Sequence, residues 1–296
     1  MGLSRRGIAD LLILGLSAIW GCTFVVIKQA LDDASPLVYM ALRFGTGALL
    51  LRPLVPRGAL RAPGTLKGGF VVGLLLAGGF TFQTYGLVHT TPARSAFITG
   101  VNVIFTPLLA VLIGMRSPRA STLAGAAMAL TGMYLLTDPM AHGGGMGRGE
   151  WLTLVCAVCF AGHLLALDHF TRKHDQASIA FMQIGVVGLV AALALPWAEE
   201  AKLNLTPRLI SALVITSVIG TALAFYVFSR VQSWTTPARA AVLFSSEPVF
   251  AALTSWLVEG EILSAVAMGG AGLILAGILT AELNLFGRRS PATSPT

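Results

Sequence analysis

Apolar residues run through this chain in long blocks, separated by short polar or charged stretches. A helix needs about 20 apolar residues to cross a bilayer, and ten blocks approach that length. The first follows Arg5 and Arg6 and continues to about Lys28. That is longer than a secretory leader's core, and no A-x-A cleavage site follows, so it reads as an uncleaved first span. The others lie near Pro36–Leu51, Gly68–Val88, Pro92–Gly114, Ala120–Thr137, Glu150–Leu167, Ser178–Trp197, Leu209–Phe228, Pro237–Val258 and Ser264–Phe286. A Gly-rich stretch, Ala141–Gly149, separates the fifth block from the sixth. It lacks the Gly-Lys-Ser/Thr ending of a phosphate-binding loop and reads as a linker.

Composition agrees. Hydrophobic residues make up 55% of the 296 positions and charged residues 11%, against about 25% charged in soluble domains. So few charges exclude a soluble globular protein and a disordered chain alike. The expected fold is an all-α polytopic membrane protein. The formal charge of +7 sits between the apolar blocks rather than in one patch, which argues against nucleic acid and for topology signals. Three cysteines make no disulfide framework. Cys156, Cys159 and His163 share a helical face, but a structural zinc site needs four ligands, so no metal is expected.

Lysine and arginine counts orient the spans. With the N-terminus in the cytoplasm, that side carries 13 basic residues: Arg5, Arg6, Arg52, Arg57, Arg61, Lys67, Arg116, Arg119, Arg172, Lys173, Arg230, Arg288 and Arg289. The other side carries 5: Lys28, Arg94, Arg148, Lys202 and Arg208. Acidic residues, among them Asp32, Asp33, Asp138, Glu199, Glu259 and Glu261, gather on that second side.

The most specific signal is an internal repeat. Thr90-Thr91-Pro92-Ala93-Arg94-Ser95-Ala96 returns as Thr235-Thr236-Pro237-Ala238-Arg239-Ala240-Ala241, an offset of 145 that also carries Gly125 onto Gly270 and Gly132 onto Gly277. Nearer the start of each half an offset of 140 sets Arg43 opposite Gln183. Five spans per half is an odd number, so the second half must enter the membrane from the opposite side, as an inverted repeat. The predicted organisation is a first five-helix repeat over 1–138, a linker over 139–149, a second repeat over 150–287 and a disordered cytoplasmic tail over 288–296. Pro107 and Pro248 fall one helical turn apart in the two halves. Both should kink their helices, and such a pair is expected to flank a central cavity.

With these features in hand, the chain resembles the EamA branch of the drug/metabolite transporter superfamily. The resemblance rests on Trp20-Gly21 with Phe24 and Lys28, Pro36 followed by Arg43, the two Thr-Thr-Pro-Ala-Arg segments, and Glu247-Pro248 followed by Glu259 and Glu261. It covers about residues 8–283. It implies a ten-helix carrier with a cavity between its halves, in a bacterial inner membrane with both termini cytoplasmic, exporting amino acids or related small metabolites. It does not encode the substrate.

Candidate substrate-binding residues follow. Glu247, about ten residues into its span, must face protein or water; its repeat counterpart is Asn102. The acid could hold an ammonium group, take a proton, or bond a neighbouring helix. Arg43 could meet a substrate carboxylate, pair internally or snorkel. Trp20, Phe82, Tyr85, Phe160 and Tyr226 are candidate aromatic walls, and Gln83 and His163 candidate polar groups. Arg94 and Arg239, two residues into their spans, are read as interface anchors, as is Trp197. Gly125, Gly132, Gly270 and Gly277 suit close helix contact. No nucleotide or hydrolase motif occurs, so neither an enzyme nor a cofactor is expected, and transport would be facilitated or coupled to an ion such as a proton. The leading expectation is a secondary exporter of small amphipathic metabolites such as amino acids. An exporter of hydrophobic cations in the same fold and a non-transporting membrane scaffold or sensor are the alternatives.

Overall fold

The computed structural model describes residues 4–115, 120–136, 147–260 and 264–283. Residues 139–146 of the expected linker and the expected tail at 288–296, with Arg116, Arg119, Asp138, Glu261, Arg288 and Arg289, lie outside the described residues.

The described chain is a bundle of helices: α1 (Arg5–Ala30), α2 (Pro36–Leu51), α3 (Thr65–His89), α4 (Pro92–Gly100), α5 (Asn102–Leu112), α6 (Ala120–Leu136) and α7 (Arg148–Thr171). There follow α8 (Gln176–Ala198), α9 (Pro207–Val214), a π-helical stretch (Ile215–Leu223), α10 (Ala224–Gln232), α11 (Pro237–Phe244), α12 (Glu247–Glu259) and α13 (Ala265–Leu283). Eight helical runs are long and apolar enough to cross a membrane: Arg5–Ala30, Pro36–Leu54, Thr65–His89, Pro92–Leu112, Arg148–Thr171, Gln176–Ala198, Pro207–Gln232 and Pro237–Val258. The two remaining expected spans correspond to shorter apolar helices, Ala120–Leu135 and Met268–Thr280. The protein is a multi-pass integral membrane protein.

The repeated Thr-Thr-Pro-Ala-Arg segment is a helix start. Thr91 accepts a hydrogen bond from the Arg94 backbone N–H at 3.3 Å, and Thr236 does the same for Arg239 at 3.3 Å. Pro92 and Pro237 follow as the first residues of α4 and α11, where the missing N–H costs nothing.

Both spans that begin this way are broken, and the breaks are equivalent under the 145-residue offset. α4 ends at Gly100 and α5 begins at Asn102; α11 ends at Phe244 and α12 begins at Glu247. The backbone tightens at each break: Val101 N–H bonds to Ile98 O at 3.1 Å, and Ser246 N–H bonds to Leu243 O at 3.2 Å. The two expected kink prolines stand differently relative to these breaks. Pro107 lies inside α5, which continues across it, while Pro248 sits in the first turn of α12, where no hydrogen bond is lost. A tight three-residue turn marks each interruption, and Pro248 stands directly after the second.

Polar contacts tie the ends of neighbouring helices together. Lys28 near the end of α1 bonds to Leu87 O near the end of α3 at 2.7 Å, and Arg172 at the end of α7 bonds to Thr235 O at 2.8 Å. Asp33 in the loop before α2 receives Arg208 Nε at 2.9 Å and the Thr206 hydroxyl at 2.7 Å. These partners hold the Asp33 carboxyl below the usual carboxylate range, the arginine hydrogen bond being the largest cause.

Glycines set the closest approaches. A Cβ on Gly132 of α6 would lie 2.6 Å from Gly270 O of α13, and one on Gly277 of α13 would lie 2.7 Å from Gly125 O of α6. The four repeated glycines therefore form one reciprocal contact. Gly21 of α1 does the same against the break before α12: a Cβ there would lie 2.6 Å from Glu247 O. Trp20-Gly21 is thus a seam that sets α1 directly on the α11–α12 turn.

Candidate functional site

A cavity lies among the helices of both halves of the sequence. α1 contributes Trp20, Thr23, Phe24 and Ile27; α2, Arg43; α3, Leu76, Phe80 and Gln83. Thr99 and Asn102 enter from the two sides of the α4–α5 break, and Phe244 and Glu247 from the two sides of the α11–α12 break. Phe160, His163 and Leu164 of α7 and Phe225 and Phe228 of α10 complete the wall. The repeat counterparts Asn102 and Glu247 therefore face one space, each as the first residue of a half-helix.

The Arg43 guanidinium is buried, and no ion pair involves it among the described residues. Its Nε donates to the Thr221 hydroxyl at 2.9 Å and its Nη2 to Gly220 O at 3.5 Å, both in the π-helical stretch. The guanidinium carbon lies 4.9 Å from the Phe44 ring centre and 5.2 Å from that of Phe80, within cation–π range. Dipoles and ring faces hold the cation, so its charge is not cancelled by a protein carboxylate. Glu247 likewise has no ion-pair partner among the described residues, and Asn102 Oδ1 is buried without a hydrogen bond. A buried carbonyl oxygen of this kind calls for a donor from something that enters the cavity.

Aromatic rings form the remainder. Trp20 packs on Phe225, Phe228 and Phe244 at ring-centre separations of 5.1, 5.8 and 5.2 Å. Its indole N–H donates to Gly220 O at 2.9 Å, so one carbonyl of the π-helical stretch orients both Trp20 and Arg43. His163 Nε2 stands 2.7 Å from Gln183 Oε1, and the Gln183 amide donates to the Ser229 hydroxyl at 2.9 Å. Since that amide nitrogen is spent on Ser229, Gln183 accepts through its oxygen and His163 donates from Nε2. The Gln83 amide donates to the Thr99 hydroxyl at 3.1 Å.

The structure brings together Trp20, Arg43, Gln83, Asn102, Phe160, His163 and Glu247. Phe82, Tyr85 and Tyr226 are outside the cavity. At 100° per residue, Phe80 and Gln83 share a face of α3 that turns Phe82 away. Tyr85 instead donates to Glu199 at 2.6 Å, and the Tyr226 hydroxyl receives Arg230 Nη1 at 3.2 Å. Phe225 and Phe228, three apart, present the α10 face that Tyr226 misses. Arg239 is not an interface anchor either: it is buried against Asp10, Nε to Oδ1 at 2.9 Å and Nη2 to Oδ2 at 2.8 Å. Thr99, Phe244, Gly220 and Thr221 were not singled out by sequence; their signal is adjacency to a break or to a π-helical turn, which the apolar pattern does not encode.

Comparison with known proteins places this architecture. The model of the EamA-like transporter family matches residues 7–138 and again 147–282. An uncharacterized transporter of Archaeoglobus fulgidus is 32% identical, over 95% of this chain and 88% of its own. A "Probable amino-acid metabolite efflux pump" of Salmonella typhimurium is 26% identical over 99% of both chains. The inner membrane transporter YedA of Escherichia coli, itself uncharacterized, is 26% identical over 93% of this chain and 90% of its own. A solved crystal structure sharing 22% identity superposes with a TM-score of 0.76 over 93% of this chain and 96% of that one, a likeness of fold. The chain belongs to the EamA-like transporter family.

Proposed function

We propose that the protein is a secondary carrier that exports small zwitterionic, amphipathic metabolites, amino acids foremost, by alternating access. In this reading ten spans form two inverted five-helix repeats over 1–138 and 150–287, both termini are cytoplasmic and the membrane is a bacterial inner one. The reciprocal glycine contact between α6 and α13 and the equivalent breaks in the fourth span of each half support the repeat. The observation that carries the substrate class is the cavity holding Arg43 and Glu247, one basic and one acidic side chain, neither ion-paired among the described residues. Arg43 would receive the carboxylate, Glu247 with Asn102 the ammonium group, and the Trp20–Phe225–Phe228–Phe244 cluster the apolar part. The name of the Salmonella relative favours the same class.

The test is flux in liposomes over a panel of amino acids and organic cations, with the wild type beside Arg43→Met and Glu247→Gln. Amino acid flux lost in both variants supports the reading. Flux of cations alone, lost only in Glu247→Gln, identifies a cation exporter instead. No flux of any panel member at full incorporation refutes a carrier of these classes.

A further inference from the structure

Two ion pairs lie at opposite ends of the bundle and are counterparts in the repeat. Asp10, near the start of α1, holds Arg239, near the start of α11. Glu150, near the start of α7, meets Arg94, near the start of α4. The offset of 145 carries Arg94 onto Arg239, and the offset of 140 that sets Arg43 opposite Gln183 also sets Asp10 opposite Glu150. Each pair thus ties the first span of one half to the fourth span of the other. Spatially they are separated by the cavity: Arg172 of α7 reaches Thr235 at the Asp10–Arg239 end, and Lys28 of α1 reaches Leu87 at the Glu150 end.

The two pairs are not in the same state. Asp10–Arg239 is bidentate at 2.9 and 2.8 Å, with the arginine side chain 8% exposed. Arg94–Glu150 is a single contact at 3.5 Å, with the arginine side chain 26% exposed. Glu150 is meanwhile satisfied by the Thr90 hydroxyl at 2.6 Å and the Gly147 N–H at 2.9 Å, so it does not depend on Arg94. The cavity shows the same asymmetry. It follows α1 from Trp20 to Ile27, toward the end where Glu150 lies, while the Trp20–Phe225–Phe228–Phe244 rings pack on its other side.

We propose that the two pairs are alternate latches for the two faces of the carrier. Asp10–Arg239 holds the N-terminal face shut in the conformation described, with Arg94 only loosely held, by one contact, to Glu150. In the opposite conformation Arg94 closes bidentately on Glu150 and Arg239 leaves Asp10. A fork-to-fork arginine–carboxylate pair is strong only at one geometry, so it marks a closed face and yields little once the helices separate. Because both latches have the same chemistry, the two conformations can lie close in free energy, as a carrier must have both populated. The proposal rests on the inverted-repeat reading.

The test measures access to the cavity in the full-length protein. A single cysteine replaces Leu164, with Cys22, Cys156 and Cys159 changed to serine. A membrane-impermeant maleimide is applied to either side of oriented vesicles, and the ratio of labelling from the two sides is read. Asp10→Asn should raise labelling from the N-terminal side several-fold; Glu150→Gln should shift the ratio the other way; the charge swap Asp10→Arg with Arg239→Asp should restore the wild-type ratio. Shifts in the same direction, or no shift in either variant at wild-type membrane level, overturn the latches, and Glu150→Gln with the swap decides the matter if Asp10→Asn fails to fold. His89→Cys and Ser233→Cys, just ahead of the two repeated segments, separate this from the parent reading. Labelling of both from one side sinks repeat and latches together. Labelling from opposite sides without opposed shifts removes the latches alone.

Discussion

Replacing Gly132 by alanine tests a backbone-on-backbone contact between the two halves of the sequence. The new methyl would stand 2.6 Å from Gly270 O and 2.7 Å from Ile274 N. A carbon normally approaches a carbonyl oxygen no closer than about 3.3 Å, so α6 and α13 must separate by roughly 0.7 Å at that point. Both obstructing atoms are backbone and cannot rotate aside, which puts the cost near the upper end of the overpacking range, about 3 kcal/mol. Helix propensity returns about 1 kcal/mol for glycine to alanine. The net loss of about 2 kcal/mol lowers the folding equilibrium roughly 30-fold. Gly272→Ala is the control: its Cβ meets nothing within 4 Å, so the same change should be neutral or slightly stabilising. Reversible denaturant unfolding in detergent micelles reads both. Gly277→Ala should behave like Gly132→Ala, and the double variant should lose less than the sum, since one separation relieves both clashes. Unchanged stability in Gly132→Ala, or equal loss in Gly272→Ala, would refute the packing argument.

Three further outcomes are expected. If Glu247 also carries a coupling proton, amino acid flux in the wild type should follow an imposed pH gradient; equal flux with and without the gradient removes that role. Single cysteines placed in 54–66 and 170–176 should label only from the cytoplasm and ones in 199–205 only from outside, and labelling of all three from one side overturns the topology. Asp33 is held below the usual carboxylate range by Arg208 and Thr206, so its tether contributes above the unfolded-state value of about 4 and fades as pH falls below it. Thermal unfolding scans should show a smaller acid-side loss for Asp33→Asn than for the wild type, and parallel pH profiles would contradict the linkage.

What the sequence made legible, and what it hid, has a physical division. Membrane helices are apolar on every side, so blocks of apolar residues locate them but cannot reveal which face looks inward. Phe80 and Phe82 are chemically identical, and only the first lines the cavity. In a soluble helix the polar face would have separated them. Prolines attracted attention as kinks, while the breaks themselves fall at tightened turns, at Val101 and at Ser245–Ser246, which leave hydropathy unchanged. The π-helical turn that presents Gly220 and Thr221 to Arg43 leaves no pattern at all. Arg239 looked like an anchor because its position in the span was visible, while its partner Asp10 lies 229 residues away. By contrast, the repeated Thr-Thr-Pro-Ala-Arg segment was legible because its signal is local: a threonine cap and a proline at the first helical position.

The presence of Arg43 and Glu247 in one cavity bears on how such a carrier would respond to voltage. With Glu247 ionised, the two side chains sum to zero, and a zwitterion adds nothing to that sum. The site would then move no net charge as it reorients, empty or loaded. A membrane potential of 100 mV acts on each uncompensated elementary charge with about 2.3 kcal/mol, and here it would find none to act on. Export would follow the metabolite's own gradient and be indifferent to the electrical state of the cell. A metabolite of single charge in the same site would carry that charge through the cycle and make it electrogenic.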